Sequence, residues 1–206
     1  VNRARQVHFL FTTSALVLLL LIVGASSCSP YIGYEYLAFK IDKHFKAGLK
    51  YYSCGKYDNA TSEYTEVIML SPLHSTAYNN RGLACYMMSR YKNAIDDFST
   101  EISLSPSEPM AYYNRGNVYS EIRDYSRAIN DFDRAIQLNP NEAEYYIGRA
   151  DAHSAAGKRS AAIADYKMAM KYCIKKKTFY GIKGKLNRLV SDGSTWNEFE
   201  ALILPY

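Results

Sequence analysis

The chain has 206 residues, 48% of them hydrophobic, with 25 Lys and Arg against 20 Asp and Glu and a formal net charge of +5 at pH 7. That is the size of one ordinary domain with a core of its own. The four cysteines, Cys28, Cys54, Cys85 and Cys173, include no C-x-x-C pair, which argues against a zinc site and a disulfide framework and leaves free, buried thiols as the expectation.

Arg3 and Arg5 open the chain, and no further Lys, Arg, Asp or Glu occurs until Glu35. Between them lies an apolar run, Phe9–Val23, with a continuous heart at Ala15–Val23 and small residues after it. A positive start, a short apolar middle and small residues before a cut make up a secretory signal peptide. A spanning helix needs about 20 apolar residues, so the run is short for a permanent anchor. The arginines hold the N-terminus in the cytoplasm on either reading, which exports the rest of the chain. Residues 24–28, "GASSC", loosely resemble a bacterial lipobox, although Ala25 stands where Leu is usual. The resemblance implies cleavage after residue 27, acyl chains on Cys28 and anchoring at about 0.8 kcal/mol per buried CH₂. An uncleaved anchor and a soluble secreted chain remain the alternatives.

Residues 34–45, "YEYLAFKIDKHF", predict a leading helix. From there the chain repeats with a period of 34. Gly48, Gly82, Gly116 and Ala150 keep that step, as do Ala60, Ala94, Ala128 and Ala162. So do Tyr64, Phe98, Phe132 and Tyr166, and Pro72, Pro106 and Pro140. In "PMAYYNRGNVYSEIRDYSRAINDFDRAIQLNPNE" (109–142), Tyr112, Gly116 and Tyr119 mark one packed helical face. Ala128, Ile129, Phe132, Ala135 and Ile136 form the stripe of a second helix after a turn at Arg123 and Asp124, and Pro140 ends it. One such hairpin cannot bury its stripe alone; a stack can.

This pattern strongly resembles the tetratricopeptide repeat family, in four copies at 41–74, 75–108, 109–142 and 143–176. The resemblance implies an all-α, right-handed superhelical solenoid of antiparallel helix pairs with capping helices at both ends. Residues 1–27 are then a signal or anchor, 28–40 a tether and leading helix, and 177–206 a basic capping region. Thr195 and Glu198 form a capping box, and Trp196, Phe199 and Ile203 share one face of a closing helix. Departures from the family pattern are Glu101 in a small-residue place, Cys85 and His153 in aromatic places, and Ile174 in place of the terminating proline. The first suggests looser packing, and the last lets the fourth repeat's helix run on into the lysines. His153 is expected in the core rather than on a metal.

Arg81, Arg115 and Arg149 come after Glu63, Asp97 and Asp131 at a constant step of 18. The spacing predicts three ion pairs, each joining the second helix of one copy to the first helix of the next. The other reading is a row of arginines facing an acidic ligand.

His8, His44, His74 and His153 are scattered, and no zincin, phosphate-loop or nucleophile-elbow motif occurs. No cofactor, metal site or enzymatic activity is expected. The family resemblance places the first helices along a concave groove. Carried over, the groove-lining residues are Phe45, Leu49 and Tyr52; Asn79, Asn80, Leu83 and Tyr86; Tyr113, Asn114 and Asn117; and Ile147, Asp151 and Ser154. Asn80 and Asn114 hold places that often bond a bound peptide backbone, whereas Phe45 and Leu49 replace the residues that clamp a chaperone's C-terminal carboxylate. The expectation is an exported, membrane-tethered scaffold in a bacterial envelope that holds a peptide or partner helix. The alternative is an electrostatic binder of anionic lipid or nucleic acid through Lys171, Lys175, Lys176, Lys177, Lys183, Lys185 and Arg188, which outnumber Asp192, Glu198 and Glu200.

Overall fold

Short turns between amphipathic segments leave antiparallel helix pairs as the way to bury each stripe. The computed structural model describes residues 33–173 and 176–190, and among these there is no strand. The helices are α1 (33–53), α2 (Tyr57–Leu70), α3 (Ser75–Met87), α4 (Tyr91–Leu104), α5 (Pro109–Glu121), α6 (Tyr125–Leu138), α7 (Ala143–Ala155), α8 (Arg159–Tyr172) and α9 (Lys176–Leu189). The leading helix and the first helix of the first copy are one continuous element, α1. Despite Ile174, α8 stops at Tyr172 and does not run on. The N-terminal apolar run, Cys28 and the closing helix expected at 195–203 lie outside the described residues. Among the described residues no helix is long and apolar enough to cross a membrane.

Each first helix ends in the same way. The equivalent residue of each copy adopts positive φ, at Gly55 (72°), Ser89 (57°), Arg123 (63°) and Gly157 (75°). The next amide then reaches back into the last turn, as Arg90 N to Cys85 O at 2.9 Å and Asp124 N to Tyr119 O at 2.8 Å. This is a Schellman closure, which satisfies carbonyls that the helix end leaves open. In the third copy the next residue, Asp124, also caps α6 by accepting from the Arg127 amide at 3.1 Å.

Packing is set by glycine against aromatic. A Cβ built on Gly48, Gly82 or Gly116 would come within 2.6 Å of Tyr64, 2.9 Å of Phe98 or 2.9 Å of Phe132 respectively. The ring of the second helix therefore lies flush on the backbone of the first. Phe132 is gripped from both sides, because a Cβ on Gly148 of the next copy would approach it to 2.7 Å. The core is a chain of clusters, each completed by the following copy. Ala84 joins Ala60 and Tyr64; Val118 joins Cys85, Ala94 and Phe98; Ala152 joins Ala128 and Phe132; Leu186 of α9 joins Ala162 and Tyr166. Thus α9 holds the place of a fifth first helix, with Gly184 continuing the step from Ala150. Cys85 is buried as expected, whereas Cys54 is exposed because it falls in the turn after α1.

Glu101 is the discordant core residue. It is 5% exposed, and its Oε2 has no hydrogen-bond partner among the described residues. Burial, with Glu108 nearby, pushes its carboxyl up to about 7. A carboxyl that binds its proton more tightly when folded favours folding fully below its ordinary value, and loses that contribution as pH rises through about 7.

Two outcomes are expected in urea titrations. Gly148→Ala destabilises by about 1–2 kcal/mol net, because forcing a methyl against Phe132 outweighs alanine's helix preference. Wild type loses on the order of 2 kcal/mol relative to Glu101→Gln between pH 5 and pH 8, the variant lacking that titration.

Candidate functional site

The arginines predicted to staple one copy to the next are paired, but in a different register. Arg81 forks onto Asp97 (Nε–Oδ2 2.9 Å, Nη2–Oδ1 2.7 Å), and Arg115 onto Asp131 (2.8 and 2.8 Å). Arg149 forks onto Asp165 (2.9 and 2.6 Å). Each carboxylate comes after its arginine at a step of 16, on the second helix of the same copy, so these bridges are internal to a repeat. The reason is geometric: antiparallel pairing brings the middle of the first helix opposite the middle of its own partner. The cross-repeat link comes from the remaining guanidinium nitrogen. Nη1 reaches back to Thr65 from Arg81 (3.0 Å), to Ser99 from Arg115 (3.0 Å) and to Asp133 from Arg149 (2.5 Å). Glu63 has no arginine in its own copy, where Ala47 holds that place, and it pairs with His44 at 2.7 Å. The arginines are thus occupied structurally and form no row for an acidic ligand. Their bonds to Asp97 and Asp131 raise the Arg81 and Arg115 guanidinium pKa above the ordinary range, so both stay charged.

The predicted groove residues fall along α1, α3, α5 and α7, and side chains of neighbouring first helices bond one another about one repeat apart. Asn114 donates to Asn79 at 2.9 Å, and Asn79 donates to Asn80 at 3.4 Å. The Tyr86 hydroxyl donates to Glu121 at 3.4 Å. Lys185 of α9 binds Asp151 at 2.6 and 2.8 Å, and the Tyr166 hydroxyl also donates to Asp151. A small cavity of about 270 Å³ opens beside them, lined by Ser154, Arg188 and Leu189. Tyr113 packs between Phe132 (ring centroids 5.8 Å apart) and Tyr145 (5.2 Å).

These contacts change the roles expected of several residues. Asn114 is only 8% exposed and donates to Asn79, so it belongs to the floor rather than the ligand-facing surface. Phe45 packs on Tyr64 and His74, while Tyr52 meets Tyr57 edge-on and Tyr86 lies tilted on Tyr91. Phe45, Tyr52, Asn79, Asn80, Leu83, Tyr86, Tyr113, Asn117, Ile147 and Ser154 are half-buried; Leu49 and Asp151 are exposed. Met87 (48% exposed) and Met110 (44%) are apolar surface that the family pattern did not single out. Both adjoin predicted residues on the same helices, and an exposed methionine beside them was the available signal.

Two tetratricopeptide repeat models match the sequence, over residues 45–109 and 109–142. Residues 45–142 are tetratricopeptide repeats. Among solved structures, a crystal structure of MamA shares 25% identity over 64% of this chain and 77% of its own, with a TM-score of 0.62. MamA residues 41-end from Desulfovibrio magneticus RS-1 reaches 0.68 over 80% of this chain and 93% of its own, at 18% identity, and shows the fold alone. The first repeat domain of Spaghetti (RPAP3), bound to the HSP90 peptide SRMEEVD, shares 26% identity over 57% of this chain and 94% of its own, with a TM-score of 0.56. No curated protein matches the sequence. Family and fold together make the tetratricopeptide array a protein-interaction scaffold.

Within the array, the register of the forks is open to measurement. Asp131→Asn strips the charge facing Arg115 inside its own copy and is expected to cost about 2–3 kcal/mol in chemical denaturation. Asp133→Asn removes only the reach-back partner of Arg149 and is expected to cost about 1 kcal/mol. A larger loss at Asp133 than at Asp131 is the opposite of what the internal register requires.

Proposed function

We propose that the array is a membrane-tethered adaptor on the outer face of a bacterial membrane, holding a neutral or basic peptide or partner helix along α1, α3, α5 and α7. The chemistry of that face carries the reading. It presents the amides of Asn79, Asn80 and Asn117 and the phenols of Tyr86 and Tyr113, beside exposed Leu49, Met87 and Met110. Its cation Lys185 is already engaged by Asp151, at 2.6 Å. Glu121, on the helix of Tyr113 and Asn117, accepts the Tyr86 hydroxyl at 3.4 Å and adds an acid to this face.

Such a surface suits an uncharged or cationic backbone with apolar anchors and disfavours an acidic tail. The HSP90 peptide bound by the Spaghetti domain carries two glutamates and a C-terminal aspartate. The places that would receive its terminal carboxylate hold Phe45 and Leu49 here. The tether is supported by the apolar run Phe9–Val23, the small residues after it and Cys28. Lys185 of the basic C-terminal region is held by Asp151 and Arg188 bonds the Gly184 carbonyl at 3.4 Å, which weakens the electrostatic alternative.

A peptide panel on the full chain tests the groove. Neutral and basic amphipathic peptides are expected to bind at least roughly ten-fold tighter than SRMEEVD, and Leu49→Glu with Met87→Glu to abolish that binding while leaving helicity intact. Tight binding of SRMEEVD, or unaltered binding by the double variant, overturns the assignment. Mass spectrometry of the membrane fraction tests the tether: an N-terminal peptide beginning at an acylated Cys28 is expected, and an intact residue 9–23 segment replaces the lipid anchor by a helical one.

A further inference from the structure

The outer face of α1 departs from every later copy. Where Ala77, Ala111 and Tyr145 are buried, Tyr145 against Tyr113 of the preceding copy, the first copy has Lys43. Where Ala84, Val118, Ala152 and Leu186 plug the preceding cluster, it has Lys50. Lys46 stands at the place of Asn80, Asn114 and Gly148 in later copies, where Asn114 bonds Asn79 and Gly148 abuts Phe132 of the preceding copy. The surface that elsewhere receives another repeat is therefore turned to lysine. A polar end is what a terminal repeat needs for solubility, but a merely soluble cap has no need of one sign of charge.

The same stripe continues up α1 through Lys40, Phe39 and Tyr36. At helical spacing, positions 36, 39, 40, 43, 46 and 50 share one face over about 21 Å. Phe39 is 62% exposed and Tyr36 is 61% exposed, with the Lys40 ammonium 5.3 Å from the Tyr36 ring centre. Asp42 is committed to Lys46, and Lys43 and Lys50 are exposed with no carboxylate partner among the described residues. Exposed aromatics interleaved with lysines match the headgroup layer of a bilayer, where rings sit at the interface and ammonium groups meet anionic phosphates. They do not match the alanine-lined face that another repeat or a second copy would need. The apolar run ends at Val23, about ten residues before α1, which puts this face within reach of any bilayer that run enters.

We propose that this face of α1 is a lipid-docking surface that lays the N-terminal end of the solenoid on an anionic membrane. The proposal rests on the tether only for its local concentration, and the test separates the two. The full chain carries Trp196→Phe and Tyr36→Trp, leaving one indole at position 36. It is mixed with vesicles of phosphatidylcholine alone or with a third phosphatidylglycerol, both containing brominated acyl chains that quench indole on contact.

Quenching is expected on the anionic vesicles, at least about five-fold weaker on the neutral ones, and fading as salt rises. Lys43→Glu, Lys46→Glu and Lys50→Glu together are expected to abolish it with helicity unchanged. Equal quenching on both vesicles, or none lost in the triple variant, overturns the proposal. So does salt-sensitive binding of poly-glutamate tighter than binding to the anionic vesicles, which assigns the face to an acidic protein. Attachment to neutral vesicles with position 36 unquenched on either surface keeps the tether and removes the docking face. Quenching on anionic vesicles without attachment to neutral ones does the reverse.

Discussion

In the first three copies two helix backbones lie close because one of them has no side chain at the contact, a place that Ala150 takes in the fourth. Gly48, Gly82 and Gly116 meet that condition, and the ring of Tyr64, Phe98 or Phe132 occupies the space released. The remaining packing follows from the resulting angle and separation. Small residues are needed where the helices cross, hence the alanines at 60, 94, 128 and 162. With the first and second helices so held, the middle arginine of one faces the middle aspartate of the other, and the forked bridge forms without distortion. A larger residue at any of these glycines would move a ring, a crossing and a charge pair together.

The helices, their order and their pairing were legible because a fixed step shared by glycine, alanine, aromatic and proline leaves little freedom. The partner of each arginine was not, since one carboxylate precedes it and another comes after it at nearly equal steps, and spacing alone does not rank them. Antiparallel geometry decides for the second. The fifth first helix was hidden for another reason: its lysines looked like a tail, while Gly184, one full period beyond Ala150, was the sign of continuation. That the residues predicted for the groove share one face of each first helix was readable from helical spacing. Occupancy was not, because Asn114 is bound by Asn79 of the preceding copy, a contact that exists only once neighbouring first helices stand side by side.

The copies are alike in plan but not in reinforcement. The third-to-fourth joint has Gly148 against Phe132 and the charged link from Arg149 to Asp133. The first-to-second joint has Arg81 reaching only a hydroxyl, that of Thr65, and the first copy replaces the forked bridge by His44 and Glu63. In a linear array, stability is a sum of local terms, so it need not be uniform along the axis. The N-terminal pair is the more loosely tied end, and the exposed lysine face belongs to it.

Because each arginine finds its carboxylate inside its own repeat, a single repeat unit is closed with respect to charge. Removing or duplicating one whole unit leaves no buried cation stranded, since the reach-back bond is satisfied by a threonine, a serine or an aspartate alike. Had the bridges crossed the joints, each end of the array would have carried one unmatched charge, an arginine on the first copy and a carboxylate on the last. The internal register therefore lets the length of the array change in whole steps during descent, with its electrostatics intact at each step.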